Sequence, residues 1–456
     1  MSTRLWFLAL SASVVSCAHY TAQPLTSAGV QKSLRFPARH RLAIAAREVA
    51  HPLLQPVRLD FRHGLGPDQV AVLAVIANPA LRADRDRRGL AAAQTFSAGV
   101  LPNPTLGYAR DFVTGGHTLG TVTAYGFTGS WDVSSVVSRN AKVRAAKKSA
   151  QAIELDVAWI EWQAAEAARL AWYRVMALHA QAQEARLIDA DQQQAVGLLQ
   201  QAVNERQKSA LDLAAAQATG TDARATYLSL QQDLAKQTLA LNRAVGAPPQ
   251  TVLPLPAEAN LSASLRVPDA GALISALEHR RLDLLGLRVG YESQDAKLRA
   301  AVLAQLPKVN LGFSHASDTS NVHTTGLSFS FDLPIFDRNQ GSIAVEKATR
   351  QSLYDEYTNR LFQARADVAE ATADLRSLNV QVAAAAAALP ALARLLETAQ
   401  AALQGQNADV LAYYQARANY NQKRIQLLKL KQQLHEARVA LELAAGCFLP
   451  DQEGGA

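Results

Sequence analysis

The sequence states one pattern twice. Leu101-Pro102-Asn103-Pro104-Thr105-Leu106-Gly107-Tyr108 returns as Leu306-Pro307-Lys308-Val309-Asn310-Leu311-Gly312-Phe313, an offset of about 205 residues. Each copy follows a helical stretch, leads into two strand-like segments, and is followed by an unusually long run rich in Ala and Gln. Helix, hairpin, long helix, helix, repeated once, is not the plan of a typical enzyme. It suits an arc of something that closes into a tube.

The long runs carry most of that constraint. Val137 to Val203 and Arg338 to Gln404 are about 67 residues each, so an unbroken helix there is roughly 100 Å long at about 1.5 Å per residue. Return helices follow over Ser209–Val245 and Asp409–Ala445, and each stops at a glycine, Gly246 or Gly446, as a helix C-terminus prefers. Pro390 lies inside the second long run, where it predicts a kink. The alanines from Ala383 to Ala388 permit very close helix approach. For these segments taken alone, a free-standing coiled-coil rod is the alternative reading, though it leaves the hairpins and the N-terminal signal unexplained.

The strands are told by period-two alternation. Val309, Leu311 and Phe313 alternate with Asn310, Gly312 and Ser314; Leu327, Phe329, Phe331 and Leu333 alternate with Ser328, Ser330 and Asp332. In the first copy Tyr125, Phe127 and Trp131 share a face, opposite Ala124, Gly126, Thr128 and Ser130. The hairpin tips, Thr114-Gly115-Gly116-His117 and Ser317-Asp318-Thr319-Ser320-Asn321, are polar and turn-prone. Such strands belong either to a soluble sandwich or to a barrel with lipid outside and water inside. Four strands cannot bury an apolar face by themselves, which favours the barrel.

The N-terminus reads as a signal peptide: Arg4, then the apolar stretch Leu5 to Val15, too short to span a bilayer. It ends at Val14-Val15-Ser16-Cys17, which resembles a bacterial lipobox and makes Cys17 the expected lipid anchor; ordinary cleavage after Ala18 is the alternative. The other cysteine, Cys447, leaves no disulfide framework and no zinc spacing. No later segment has about 18 uninterrupted apolar residues, so a membrane helix is excluded and any crossing must use strands. The net charge of +7 is spread among acids; Lys142, Arg144, Lys147 and Lys148 read as a solvated helix face rather than a nucleic-acid patch.

The chain divides into a lipoprotein signal peptide (1–17), an extended or irregular lead-in (18–63), a first repeat (64–246), a Pro/Leu-rich linker (247–268), a second repeat (269–446) and a tail (447–456). The first repeat opens on a helix from Pro67-Asp68 to about Ala98, which Pro79 should kink or restart. The second opens on a helix carrying His279-Arg280-Arg281-Leu282-Asp283.

Over about 64–446 this order resembles the TolC, or outer-membrane efflux protein, family. The most specific stretch is Asp332-Leu333-Pro334-Ile335-Phe336-Asp337-Arg338-Asn339-Gln340-Gly341-Ser342-Ile343-Ala344. It resembles the Pro-Leu-Phe-Asp-Arg-Asn-Gln-Gly exit from the fourth strand in the CzcC-like, heavy-metal efflux branch. Its first-copy counterpart, Trp131-Asp132-Val133-Ser134-Ser135, lacks the motif, and Arg281-Leu282-Asp283-Leu284 resembles the family's Arg-Pro-Asp-Leu without the proline. The resemblance implies a mainly α fold with a small β part. Three protomers would each give four strands to one twelve-stranded barrel, with the long helices forming a periplasmic α-helical tunnel. It implies as partners a periplasmic adaptor, an inner-membrane RND pump and outer-membrane lipid.

The family's helix-turn-helix tip, roughly Gly-x-x-Ser/Thr-x-x-Asp-Val-Leu, falls on Arg206-Gln207-Lys208-Ser209-Ala210-Leu211-Asp212-Leu213, with Arg206 in place of the glycine. The second tip is Gly405-Gln406-Asn407-Ala408-Asp409-Val410-Leu411, one residue tighter and without the hydroxyl. Adaptor contact at both tips is implied. Ser209, Asn407 and Asp409 can each cap the following helix. Three copies of Asp212 or Asp409 on an axis would form a charged ring able to hold a gate; plain capping is the equal alternative.

No nucleophile elbow, phosphate loop, zinc-protease motif or dinucleotide fingerprint appears, so no enzyme and no cofactor is expected. His315 and His323 flank the second hairpin loop but lack a third ligand, and no metal site is assigned. The reading is a lipid-anchored, trimeric outer-membrane duct of a tripartite efflux system, exporting heavy-metal cations. A duct for drugs or type I secretion is the alternative within the fold; a periplasmic coiled-coil adaptor or structural protein is the alternative from another class.

Overall fold

The computed structural model describes residues 19–116, 119–258, 261–404 and 410–449. The chain divides into two compact units, residues 1–37 and 38–456. In the first, the described residues hold one short helix, α1 (Ser27–Ser33), whose N-cap Thr26 accepts a hydrogen bond from the Gly29 amide. The second unit begins with α2 (Arg39–Arg47), which buries Leu42 and Ala46 one turn apart. The expectation of an extended or irregular lead-in is thus corrected. A capping threonine on α1 and an apolar i, i+4 pair on α2 support helices that are too brief to show a period in the sequence.

The remainder of this unit runs α3 (Pro67–Ala77), α4 (Ala80–Gly99), β1 (Thr105–Asp111), β2 (Ala124–Asp132), α5 (Ser135–Asn204) and α6 (Ala210–Ala244). It continues as α7 (Ala270–Arg280), α8 (Leu282–Leu303), β3 (Val309–Ser317), β4 (His323–Phe331), α9 (Gln340–Gln404) and α10 (Val410–Ala445). Two helices, two strands, a long helix and a return helix therefore occur in that order twice.

Pro67 opens α3 at its first turn, and the helix stops at Asn78, before Pro79. Helix α5 has 70 residues and α9 has 65, close to the expected runs. The second begins two residues later than expected, because Asn339 sits in the left-handed region at φ 59° and cannot be helical. Helix α9 continues through Pro390 as one helix. Gly246 (φ 72°) and Gly446 (φ 67°) end the return helices in the left-handed conformation.

One expectation about membrane helices is overturned. A stretch within Gln340–Leu403 is apolar enough, by length and composition, to cross a bilayer, with mean hydropathy 1.4 and 6% of it buried. An unbroken-run criterion misses it because its apolar character comes from alanines interspersed with polar residues. It lies inside a helix much longer than a bilayer is thick.

The strands form one antiparallel sheet in the order β1-β2-β3-β4. Among the described residues one core cluster lies where α7, α8, α9 and α10 meet. Ala364, Val368, Ala371, Leu375 and Val382 on α9 face Leu434 and Leu441 on α10, with Leu427, Leu430 and Ala437 packed beside them. Steps of three and four residues on both helices give an antiparallel heptad seam. A second cluster at the middle of α5 surrounds the fully buried Trp162 with Leu54, Val75, Trp159 and Leu282.

Candidate functional site

Register makes the sheet two-faced. Side chains opposite one another point the same way, so successive rows can be followed across it. Trp131, Leu311 and Phe329 form one row, then Leu106, Gly129, Phe313 and Leu327, then Tyr108, Phe127, His315 and Thr325, and at the hairpin end Arg110, Tyr125, Ser317 and His323. The opposite face carries Thr105, Gly107, Thr128, Ser130, Asn310, Gly312, Ser314, Gly326, Ser328 and Ser330. The apolar face is not covered: Leu106 is 80% exposed, Leu327 84% and Phe329 72%. A water-soluble monomer does not present such a patch, whereas a membrane barrel needs one face apolar and the other polar. The row of Tyr, Arg and His toward the hairpin tips gives that face an amphipathic rim. Both outer strands, β1 and β4, have an open edge within the protomer.

The strand-exit motif is a turn that bonds to itself. Arg338 Nε donates to Pro334 O (3.2 Å), the Arg338 amide to Gln340 Oε1 (2.6 Å), and Gln340 Nε2 to Phe336 O (3.0 Å). Asp337 Oδ1 accepts from the Asn339 amide at 2.8 Å, and Asn339 Nδ2 donates to Ala301 O at 2.8 Å, tying the start of α9 to the end of α8. Asn suits the left-handed position because its short amide can bond locally. A Cβ on Gly341 would meet nothing within 4 Å, so nothing in the structure explains that glycine. In the first copy the exit is built otherwise: Asp132 Oδ1 accepts from the Ser134 amide and hydroxyl at 2.9 and 2.5 Å.

At the first helical tip, Ser209 and Asp212 come together as a reciprocal capping box. Ser209 Oγ accepts from the Asp212 amide (3.1 Å), and Asp212 Oδ2 accepts from the Ser209 amide (3.1 Å) and hydroxyl (2.8 Å). Arg206 takes the left-handed position at φ 60°, where glycine is free of steric cost. Leu211, one turn on, is 79% exposed. Cys17, His117, Gly405, Asn407 and Asp409 lie outside the described residues. His315 and His323 place parallel rings 6.3 Å apart, and His315 Nδ1 hydrogen-bonds Thr325 Oγ1 at 2.9 Å. Among the described residues no group of three or more His, Cys, Asp or Glu is placed to hold a metal ion.

What the sequence reading missed is a polar ladder between α5 and α10. Running from the tip, Asp191 pairs with Arg417 (2.7 Å), Glu184 with Arg424 (2.6 Å), Gln181 with Gln432 (3.0 Å), Arg174 with Glu436 (2.9 Å), and Arg169 with Glu442. The acids lie on α5 near the tip and on α10 near the middle, so the polarity inverts along the ladder. Asp189 completes the tip end by accepting from Arg224 of α6 at 2.7 Å. At the far end Arg169 also meets Glu166 at 3.1 Å and Asp68 at 3.2 Å, while Arg438 meets Glu442 at 3.1 Å. Burial pushes the Glu166 carboxyl up to about 8 against the pull of Arg169, and burial also raises that of Asp191, against Arg417. The available signal was spacing: Glu184 and Asp191, and Arg417 and Arg424, are each one heptad apart and so share a helix face.

Comparison with known proteins follows the same lines. Residues 273–447 match the family model for outer membrane efflux protein. The chain is 26% identical over 323 residues to the pyoverdine export outer membrane protein OpmQ of Pseudomonas aeruginosa, covering 65% of this chain and 67% of OpmQ. Its fold is similar to that of CusC, a transmembrane channel (TM-score 0.69, 20% identity, 88% of this chain and 98% of that one). It is also similar to the open state of the MtrE outer membrane channel of Neisseria gonorrhoeae (TM-score 0.62, 18% identity, 88% and 97%). Family match, curated relative and fold agree: the second half of the chain matches the outer membrane efflux proteins and the whole is similar to them in fold, and members of that family are channels that need no cofactor, not enzymes.

Proposed function

We propose that this chain forms the exit duct of a tripartite efflux system, three copies closing their four-stranded sheets, β4 against the neighbour's β1, into one twelve-stranded barrel. The observation that carries the reading is the two-faced sheet, whose uncovered apolar rows suit lipid and whose Gly, Ser and Thr rows suit a water-filled lumen. Closure would also pair the two open edges, which a lone sheet leaves as a liability. The exposed alanine-rich part of α9 would be covered by neighbouring copies in the helical tunnel. Domain boundaries of 64–246 and 269–446 then mark two equivalent halves, and Cys17 supplies a lipid anchor.

Partners are a periplasmic adaptor and an inner-membrane RND pump, the pump supplying the energy. The tips at Ser209, Asp212 and Leu211, and at Gly405, Asn407 and Asp409, meet the adaptor. Opening takes place along the α5–α10 ladder, whose charges can exchange partners as the helices slide. Asp212, engaged in its capping box, is assigned to holding the tip turn rather than to a charged ring.

Heavy-metal cations are the proposed cargo, on the likeness of Pro334, Phe336, Asp337, Arg338, Asn339, Gln340 and Gly341 to the heavy-metal branch. Their hydrogen bonds build a turn, so the motif marks descent, not contact with cargo. A second reading, export of a metal-chelating siderophore, is favoured by the pyoverdine named for the curated relative. A deletion strain is to be grown on zinc, cadmium, cobalt, nickel, copper and silver, beside dyes, and under iron limitation. Sensitivity to metals, reversed by the gene, supports the first reading. Loss of a secreted chelator replaces it with the second, and sensitivity to dyes alone discards both.

A further inference from the structure

The apolar face does not end with the strands. Below its last row, Val309 and Phe331, a cavity of about 590 Å³ opens between the start of α5 and the end of α8. That is within the range of about 300–1,000 Å³ usual for small-ligand sites. Leu306 continues its apolar wall, and two lysines line it, Lys142 about two turns into α5 and Lys308 just ahead of β3. Both ammonium groups are exposed, and neither is in an ion pair among the described residues. The one carboxylate in the lining, Asp132, is already engaged by the amide and hydroxyl of Ser134.

Position decides the occupant. The hairpin end of the sheet carries the Arg110, Tyr125 and His323 row, so the apolar rows between it and the cavity are the membrane band, and the cavity lies at the opposite, periplasmic boundary. It is set between α5 and α8, whereas the sheet edges at which copies would pair are β1 and β4. We propose that this cavity holds one anionic glycerophospholipid of the periplasmic leaflet per protomer, an acyl chain lying along Leu306, Val309 and Phe331 and the phosphate held by Lys142 and Lys308. This rests on the barrel reading above. The ligand chemistry is an apolar chain plus a phosphate headgroup of net negative charge, with no headgroup cation to compete, for which a pair of ammonium groups on an apolar wall is matched.

The test is native mass spectrometry of the full-length oligomer, delipidated and titrated with phosphatidylglycerol or phosphatidylcholine. A dissociable phosphatidylglycerol adduct on each protomer is expected, with none from phosphatidylcholine. The adduct should be lost in a Lys142→Glu, Lys308→Glu double variant, whose exposed, unpaired side chains leave the fold intact. Equal uptake of both lipids, or an adduct unchanged by the double variant, overturns the site. An adduct seen only after Cys17→Ala would assign the cavity to the chain's own anchor and overturn it equally. Single-channel conductance of the same preparation and of its Asp191→Asn variant separates the two readings: conductance without a lipid adduct sinks the lipid site alone, and absence of conductance in both sinks the barrel.

Discussion

Helix α10 packs against α9 and α5 by opposite chemistries. Toward α9 it presents an uninterrupted heptad of Leu and Ala; toward α5 it presents Arg417, Arg424, Gln432, Glu436 and Glu442. Burial of apolar area is non-directional but requires contact to be kept, so the α9–α10 seam resists any separation. Ion pairs add little net stability, whether partly exposed as near the tip or buried as Arg169 and Glu442 are, because desolvation and side-chain ordering offset attraction. They are directional, however, and fix register. One seam therefore holds a helix pair together and the other sets where that pair sits against α5.

The largest expected effect lies in the apolar seam. Leu375 and Leu434 are fully buried there, and replacing either with Ala should cost about 2–5 kcal/mol, read as a lower denaturation midpoint. A change below about 1 kcal/mol would mean that the seam is loosely filled, and the contrast with α5–α10 would collapse.

Next comes the foot of the polar ladder. Glu166 lies against Arg169, which also serves Glu442 and Asp68, with Arg438 and Tyr173 close by; burial raises its carboxyl to about 8. A carboxyl raised on folding binds its proton more tightly in the native state. Its stabilising contribution is complete below the ordinary glutamate value of 4.5 and is lost as pH rises toward about 8. Stability should therefore fall across that window, by no more than ~1.4 kcal/mol per pH unit for one proton. Glu166→Gln should flatten the profile, and an identical pH slope in both proteins would show that another group titrates.

The ladder near the tip sharpens the comparison by dissociating stability from function. Asp191→Asn removes one half of a pair whose arginine is about a third exposed, so its cost should stay near 1 kcal/mol. Conductance, in contrast, should rise, because register at the opening end is lost. Exchanging the two charges, Asp191→Arg with Arg417→Asp, should restore low conductance. A double variant as leaky as the single one would show that the pair does not couple α5 to α10.

How much of this was legible in the sequence follows from the nature of each signal. Local patterns were: period-two alternation in Val309–Phe313 and Leu327–Phe331, helix stops at Gly246 and Gly446, the break at Pro79, and the capping residue Ser209. Each depends on residues a few positions apart. The helices in 18–63 were not, since seven and nine residues are too few to show a period. The ladder was hidden for a different reason. Its partners are separated by up to 273 residues, as for Arg169 and Glu442, and charges spaced like these on a lone helix look like a solvated face. Only the pairing of two heptad-spaced acids with two heptad-spaced arginines distinguishes it, and that needs the fold. The meaning of Arg206 lay between these cases: its place in the tip was readable, its backbone was not.

That backbone gives the smallest effect. At φ 60° a side chain costs roughly 1–2 kcal/mol relative to the right-handed regions, while a glycine there loses about 0.5–1 kcal/mol more chain entropy on folding. The two nearly cancel, so Arg206→Gly should tighten the tip by less than about 1 kcal/mol. A global midpoint would not resolve that, but hydrogen exchange would, because the Gln207 and Lys208 amides both donate to Ala202 O in this turn, at 2.8 and 3.3 Å. Their exchange should slow in the glycine variant. Faster exchange would show that the arginine side chain, not the backbone, holds the turn, and would move the tip from the class of locally encoded structure into that of the ladder.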